Sequence, residues 1–450
     1  MLFSNKDLFK IVLPLFIEQM LAVTIGMLDS IMVSSVGEAA VSGVSLVDTI
    51  NLLLSYIFSA LATGGAVVCS QFLGRRESAN ARASAKQLLY SVTAVALVLM
   101  AVCLIFKNTI LSLVFGSISD EIMGHAQIYF FFTVLSYPFL ALYNGGAALF
   151  RSMGDSKTSM LVSTLMNLLN VAGNALLIYV FHMGVAGAAI STLFSRIVGS
   201  VLITVLLHNK SKLIYIEKIF RYRPDFKIIK SILNIGVPAG MENGMFQFGK
   251  LLTTSLISTF GTAAIAANAV AGTVACFEYA VGGAIGLTLV TVVGRCVGAG
   301  EKEAAKKYVK KLMGIEYVSM VVVAILLTVL AKPITSAYNL SAEASSLAVL
   351  LILLHNLFSI TTWPVAFTLP NAFRAASDVK FTMYISIASM WIFRIGFSYL
   401  LSGIGIFTLG LLGVWIAMFV DWFFRGTVFA VRFVSGKWLT KYRPPEVSDS

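Results

Sequence analysis

Charged residues are scarce in this chain. Asp, Glu, Lys and Arg together make up 12% of its 450 residues, against about 25% in a soluble globular domain. Cysteine is scarcer: Cys69, Cys103, Cys276 and Cys296 all fall in or beside apolar stretches, with no spacing that suggests a disulfide framework or a zinc site. His182 and His355 stand alone and make no metal site. No Gly-rich loop ends in Lys-Ser/Thr, so direct nucleotide drive lacks its phosphate cradle. An Asp-rich metal motif or a membrane His/Asp pair, needed by intramembrane prenyl- or acyltransferases, is also missing. The chain is therefore expected not to be an enzyme and to carry no cofactor.

What fills the sequence instead is apolar. Hydrophobic residues make up 58% and the mean hydropathy is +0.88. Many runs approach the ~20 residues that cross a bilayer as a helix, and none alternates at the period of two that a barrel strand requires. The expected fold is an all-α integral membrane protein with twelve transmembrane helices. The predicted spans are roughly 11–36, 46–72, 87–107, 126–149, 158–181, 186–208, 231–260, 265–294, 312–331, 346–372, 381–402 and 406–432. No cleavable signal peptide is expected, because Asn5-Lys6-Asp7 leads straight into a span that keeps its acids. Pro138, Pro364 and Pro370 predict kinks in the fourth and tenth spans.

The net charge of +12 is a matter of placement. With the N-terminus inside, 28 of the 33 Lys and Arg residues fall at or near cytoplasmic segments. Outside loops hold Lys107 and Lys332, and Arg196, Lys250 and Arg394 lie within spans. This positive-inside bias predicts a multi-pass protein of the cytoplasmic (inner) membrane with both termini cytoplasmic. It removes nucleic acid as a partner and leaves membrane lipid, and the chain is read as a monomer.

The sequence also repeats itself. A shift of 224 residues pairs Pro14 with Pro238, Glu18 with Glu242, Gly37 with Gly261, Gly74 with Gly298, Glu77 with Glu301 and Lys86 with Lys310. A shift of 223 pairs FRSMGDSKTSM (150–160) with FRAASDVKFTM (373–383) at Phe, Arg, Asp, Lys and Met, and Gly184 and Gly187 correspond to Gly410 and Gly413. Six spans return a chain to its starting side, so two six-helix lobes are expected, related by an axis along the membrane normal as in many secondary transporters. The expected division is 1–207 for the N-terminal lobe, 208–230 for a cytoplasmic inter-lobe loop, 231–436 for the C-terminal lobe and 437–450 for a cytoplasmic tail.

The first-span Pro with Asp29 eight residues before Gly37, the SQFLGRRE and VGAGEKEAA loops, and the FRSMGDSK and FRAASDVK loops together resemble the multidrug and toxic compound extrusion (MATE) family. The resemblance extends over essentially the whole chain. It implies alternating access and efflux of amphipathic, often cationic compounds in exchange for H⁺ or Na⁺, with a coupling carboxylate at the position of Asp29. A lipid-linked glycan or peptidoglycan-precursor flippase shares a related two-lobe architecture. A pyrophosphate-linked substrate should demand several cavity Arg or Lys, however, and the spans carry three.

An acid in mid-bilayer costs at least ~2.5–3.5 kcal/mol and is by default a functional candidate. Burial raises a carboxylate's pKa in general, which suits proton exchange. Asp29 and Glu18 share a helix face about 16 Å apart, and neither has an adjacent basic residue in sequence. Glu18 has a repeat mate in Glu242, whereas Asp29 meets Thr253, so the symmetry singles out Asp29. In the fifth span, Asn167, Asn170 and Asn174 offer amides, Asn170 and Asn174 on one face. The resemblance implies Asn then Asp at that spacing, completing a cluster with Asp29. Asn174 departs from it, which favours H⁺, although backbone carbonyls and water leave Na⁺ open. Lys250 is expected to pair with Glu278 or Glu242, as a structural pair or a charge switch. Met20, Met27, Tyr137, Tyr143, Trp363 and Phe367 are candidates for greasy-cation recognition, although such residues in helical spans more often face lipid or fill packing.

Overall fold

The computed structural model describes residues 2–116, 118–217, 223–338, 340–403 and 408–444. Residues 218–222 of the expected inter-lobe loop and 445–450 of the expected tail lie outside them.

Helices account for nearly everything described. In chain order α1 is Asn5–Ser34, α2 Glu38–Gly74, α3 Ser78–Ile105, α4 Lys107–Phe115, α5 Asp120–Leu135, α6 Tyr137–Ser152, α7 Ser156–Asn174 and α8 Gly184–Leu206. These are followed by α9 Phe226–Ser258, α10 Thr262–Gly298, α11 Lys302–Ala337, α12 Ala342–Ser359, α13 Pro370–Ala375, α14 Val379–Ser389, α15 Phe397–Leu401 and α16 Gly410–Val434. Short π-helical segments cover Ala175–Val180, Pro364–Thr368 and Met390–Gly396.

Among the described residues ten helices are long and apolar enough to cross a bilayer, and α5 with α6, bent by 46° at their junction, makes an eleventh. That bend falls where Pro138 denies α6 a backbone donor in its first turn. The 33-residue α9 is long enough for the twelfth, but Glu242, Asn243, Gln247 and Lys250 interrupt its apolar sequence. The twelve expected spans are thus accounted for by position, with α12 and α13 on either side of the predicted Pro364 and Pro370 breaks.

Duplication is visible in the backbone as well as the sequence. Left-handed φ angles occur at Gly37 and Gly261, Arg76 and Gly300, Gly154 and Ser377, and Gly184 and Gly410. Each pair is matched by the repeat, and in two of them the residue type has changed while the turn has not. Gly37 and Gly261 directly precede α2 and α10, where a side chain would strain the turn.

The chain forms two compact units, Phe3–Gly240 and Met241–Arg443. The first ends later than the expected 207 because the early part of α9 packs with it. A Cβ on Gly64 of α2 would stand 2.5 Å from the Ile232 carbonyl oxygen, so α2 and α9 touch backbone to backbone there.

Candidate functional site

Each unit holds a polar clamp on the first helix of its repeat. In the first unit Glu18, one turn after Pro14 in α1, accepts from Ser159 Oγ at 2.8 Å and lies 3.6 Å from Arg151 Nη1. In the second, Glu242 lies 2.8 Å from Arg374 Nη2 and accepts from Ser386 Oγ at 2.6 Å and Thr382 Oγ1 at 3.3 Å. Arg151 and Arg374 are repeat mates, as are Ser159 and Thr382. Glu18 is therefore neutralised after all, by an arginine distant in sequence. The aspartates of the same motifs also have cationic partners: Asp155 takes Lys212 Nζ at 2.6 Å and Asp378 takes Arg432.

Asp29 sits in a different environment. It lines a cavity of about 310 Å³ in the first unit, walled by α1, α2, α5, α6, α7 and α8. From α7, Asn174 Nδ2 donates to Asp29 Oδ1 at 2.9 Å. The Asn170 amide satisfies its surroundings when Nδ2 faces the two Asp29 oxygens, at 3.0 and 2.8 Å, and Oδ1 accepts from Thr192 Oγ1 of α8. Both asparagines are buried, Asn174 with 2% exposure, and Asn174 Oδ1 has no donor among the described residues. Two local features hold them in place. A Cβ on Gly173 would collide with Ser191 Oγ, so its absence lets α8 close on α7, where Ser191 Oγ donates to the Asn170 carbonyl at 2.7 Å. Immediately after Asn174 the helix widens into its π segment, a feature frequent at functional sites.

The same cavity is lined by Asp48 of α2 and Arg196 of α8. Asp48 accepts from Asn51 Nδ2 at 3.2 Å, and Asn51 Oδ1 in turn accepts from the Tyr137 hydroxyl at 2.8 Å. Arg196 Nη1 donates to Ser136 Oγ at 2.6 Å. Asp48 changes the ligand inventory, because the cavity has two carboxylates and not one. The argument for H⁺ from a single acid therefore loses its premise. The predicted second span began at 46, which put Asp48 at its edge, but α2 begins at Glu38 and carries Asp48 well inside. Asp48 would pair with Gly272 across the repeat, so the asymmetry that singled out Asp29 would have found it too.

Of the remaining candidates, Asn167 lines the cavity, whereas Met20, Met27, Tyr137 and Tyr143 do not. Tyr137 is fully buried against Phe58 and Asn51.

In the second unit the interior is filled by aromatic rings. Trp363 stacks between Tyr279 and Phe367, with centroids 5.3 Å away on each side. The acids here have close partners. Glu278 Oε2 lies 2.7 Å from His355 Nδ1, Asp421 Oδ1 lies 3.0 Å from Arg425 Nη2, and Glu316 accepts from Thr368 Oγ1 at 2.6 Å. The expected Lys250 pairing is corrected by these contacts. His355 takes Glu278, Arg374 takes Glu242, and Lys250 makes no ion pair among the described residues. Glu316, fully buried, falls within the predicted span 312–331, an intramembrane acid with no repeat or motif to mark it.

The MatE family model matches this chain twice, at residues 14–176 and 238–400. The chain belongs to the MatE family. The two matches stand 224 residues apart at both ends, the same offset as the repeat. Curated relatives include the uncharacterized transporter YisQ of Bacillus subtilis, 28% identical over 97% of this chain and 95% of the relative. The probable multidrug resistance protein NorM of Thermotoga maritima is 25% identical over 98% and 96%. Among solved structures, a MATE crystallised with MaL6 has a TM-score of 0.88 at 20% identity over 96% of this chain and 97% of that one. An outward-facing multidrug resistance MATE family transporter of the MOP superfamily has 0.86 at 20%, over 96% of each chain. At that identity the structures speak for the fold. This MatE protein is a multi-pass membrane protein.

Proposed function

We propose that this MatE protein is a secondary active exporter in the inner membrane, with both termini cytoplasmic. It would move amphipathic, often cationic compounds outward in exchange for H⁺ or Na⁺ by alternating access. The observation that carries the reading is Asp29: an acid without an ion pair among the described residues, held by two buried amides, in a cavity inside an apolar unit. Such a group is costly to keep in a membrane, and an ion that enters and leaves the cavity compensates it in alternation with substrate. Two carboxylates and the donor-less Asn174 Oδ1 suit a hard cation through oxygen ligands, and either carboxylate accepts a proton. The names of the NorM relatives favour drugs as cargo, and a single lining arginine argues against a pyrophosphate-linked one.

The test is efflux of ethidium from proteoliposomes under separately imposed pH and Na⁺ gradients. Transport is expected under one gradient and not in its absence. Gradient-independent or absent movement of every organic cation tried would overturn the reading.

A further inference from the structure

We infer that Asp48 and Arg196 set the charge of the first-unit cavity so that it accepts one positive charge at a time. This makes the pair a specificity device for monovalent organic cations. The inference rests on the reading that this cavity holds the transported cation.

Asp29, Asp48 and Arg196 are the Asp, Glu, Lys and Arg residues lining the cavity among those described. Fully ionised they sum to a single negative charge. The rest of the lining is neutral: Tyr129 of α5 faces Asp48, and α7 presents amides. Arg196 touches neither acid within ion-pair distance among the described residues. It is tied to Ser136, at the junction of α5 and α6, and acts on both carboxylates through space. An arginine held in this way reduces the net negative charge of the site without occupying the acids, so a cation can still reach them. The unsatisfied Asn174 Oδ1, buried and bordering Asp29, is a second acceptor with nothing to accept.

Removing Arg196 would leave two uncompensated acids in a low-dielectric wall, a site for a dication. Removing Asp48 would leave a neutral site with little hold on any cation. With both present, the exchanged ion and a monovalent substrate compete for the one negative charge, and exchange follows from that exclusion. Across the repeat the three charges meet Thr253, Gly272 and Trp422, so the device belongs to one unit.

Binding of tetraphenylphosphonium (one charge) and decamethonium (two) to the purified full-length protein tests this. The wild type is expected to prefer the monocation. Arg196→Met should shift the preference toward decamethonium at least ~tenfold, the factor that one unit charge contributes at ~12 Å in an effective dielectric of ~20. Asp48→Asn should weaken tetraphenylphosphonium binding by a similar factor, and Arg196→Lys should leave the preference unchanged. The double variant Asp48→Asn/Arg196→Met restores one negative charge and should return the preference to the wild-type ratio. An unchanged ratio in a natively folded Arg196→Met, or a double variant that does not return, would overturn the inference. Failure of both cations to bind the wild type would overturn the exporter reading, and the inference with it.

Discussion

The clamps on the first helix of each repeat and the interiors beyond them follow opposite rules. Glu18 and Glu242 keep the same partner types, an arginine from the FR motif and a hydroxyl from the helix after it. A few turns further along, Asp29 faces an open polar cavity, while its mate Thr253 bonds back to the Lys250 carbonyl of its own helix. The second unit fills its interior with Tyr279, Trp363, Phe367 and Trp422 and pairs its acids internally. What both halves retain is what a six-helix unit needs to hold its first helix in place. What only one half has is free to serve exchange. A buried ion pair contributes little net stability while intact, yet losing one partner is expensive, which explains why a clamp persists once it is built in.

Five perturbations would sharpen or break this contrast. Asp29→Asn should abolish gradient-driven transport with an unchanged melting temperature, since the side chain is isosteric and the Asn170 amide can turn to accept from the new Nδ2. Thr253→Asn, at the mate position, should leave transport near wild type. Arg374→Ala should destabilise the second unit by about 3–5 kcal/mol, because Glu242 is left buried and unpaired. Arg151→Ala should cost less, as its contact with Glu18 is longer, and thermal unfolding in detergent would rank the two. Gly173→Ala should cost about 1–3 kcal/mol through overpacking against Ser191. It should also lower transport, because Asn170 and Asn174 move with α7.

The smallest effect concerns Asp155, outside the membrane at the start of α7. Burial pushes its carboxyl up, but hydrogen bonds from Lys212 and Thr158 outweigh that and hold it below the usual range. Its folded pKa is depressed, so its stabilisation is present above the unfolded value near ~3.9 and is lost as pH falls through the folded value. Asp155→Asn keeps a capping oxygen but loses the partly exposed pair with Lys212, so it should cost at most about 1 kcal/mol at pH 7, with the difference from wild type shrinking below about pH 4.

Much of this was legible in the sequence because periodicity and duplication are patterns of residue order. The span positions, the repeat, the Pro138 bend and the interest of Asp29 with Asn170 and Asn174 could all be read that way. Partner choice could not. Glu18 meets Arg151 and Glu278 meets His355 only once helices distant in the chain are packed, and no local spacing announces either pair. Asp48 was hidden by a boundary: hydropathy placed the second span's start beside it, whereas the helix begins at Glu38 because Gly37 supplies the turn. Tyr137 shows the limit for aromatics, since the same side chain could line a cavity or, as it does, fill the packing around Asn51.

The central claim is that exchange runs through the cavity of one unit. It is tested most directly by gradient-driven uptake in proteoliposomes containing Asp29→Asn, measured beside Thr253→Asn and the wild type. Uptake by Asp29→Asn should fall to the level of protein-free liposomes while Thr253→Asn tracks the wild type. Wild-type uptake by a folded Asp29→Asn protein would contradict it.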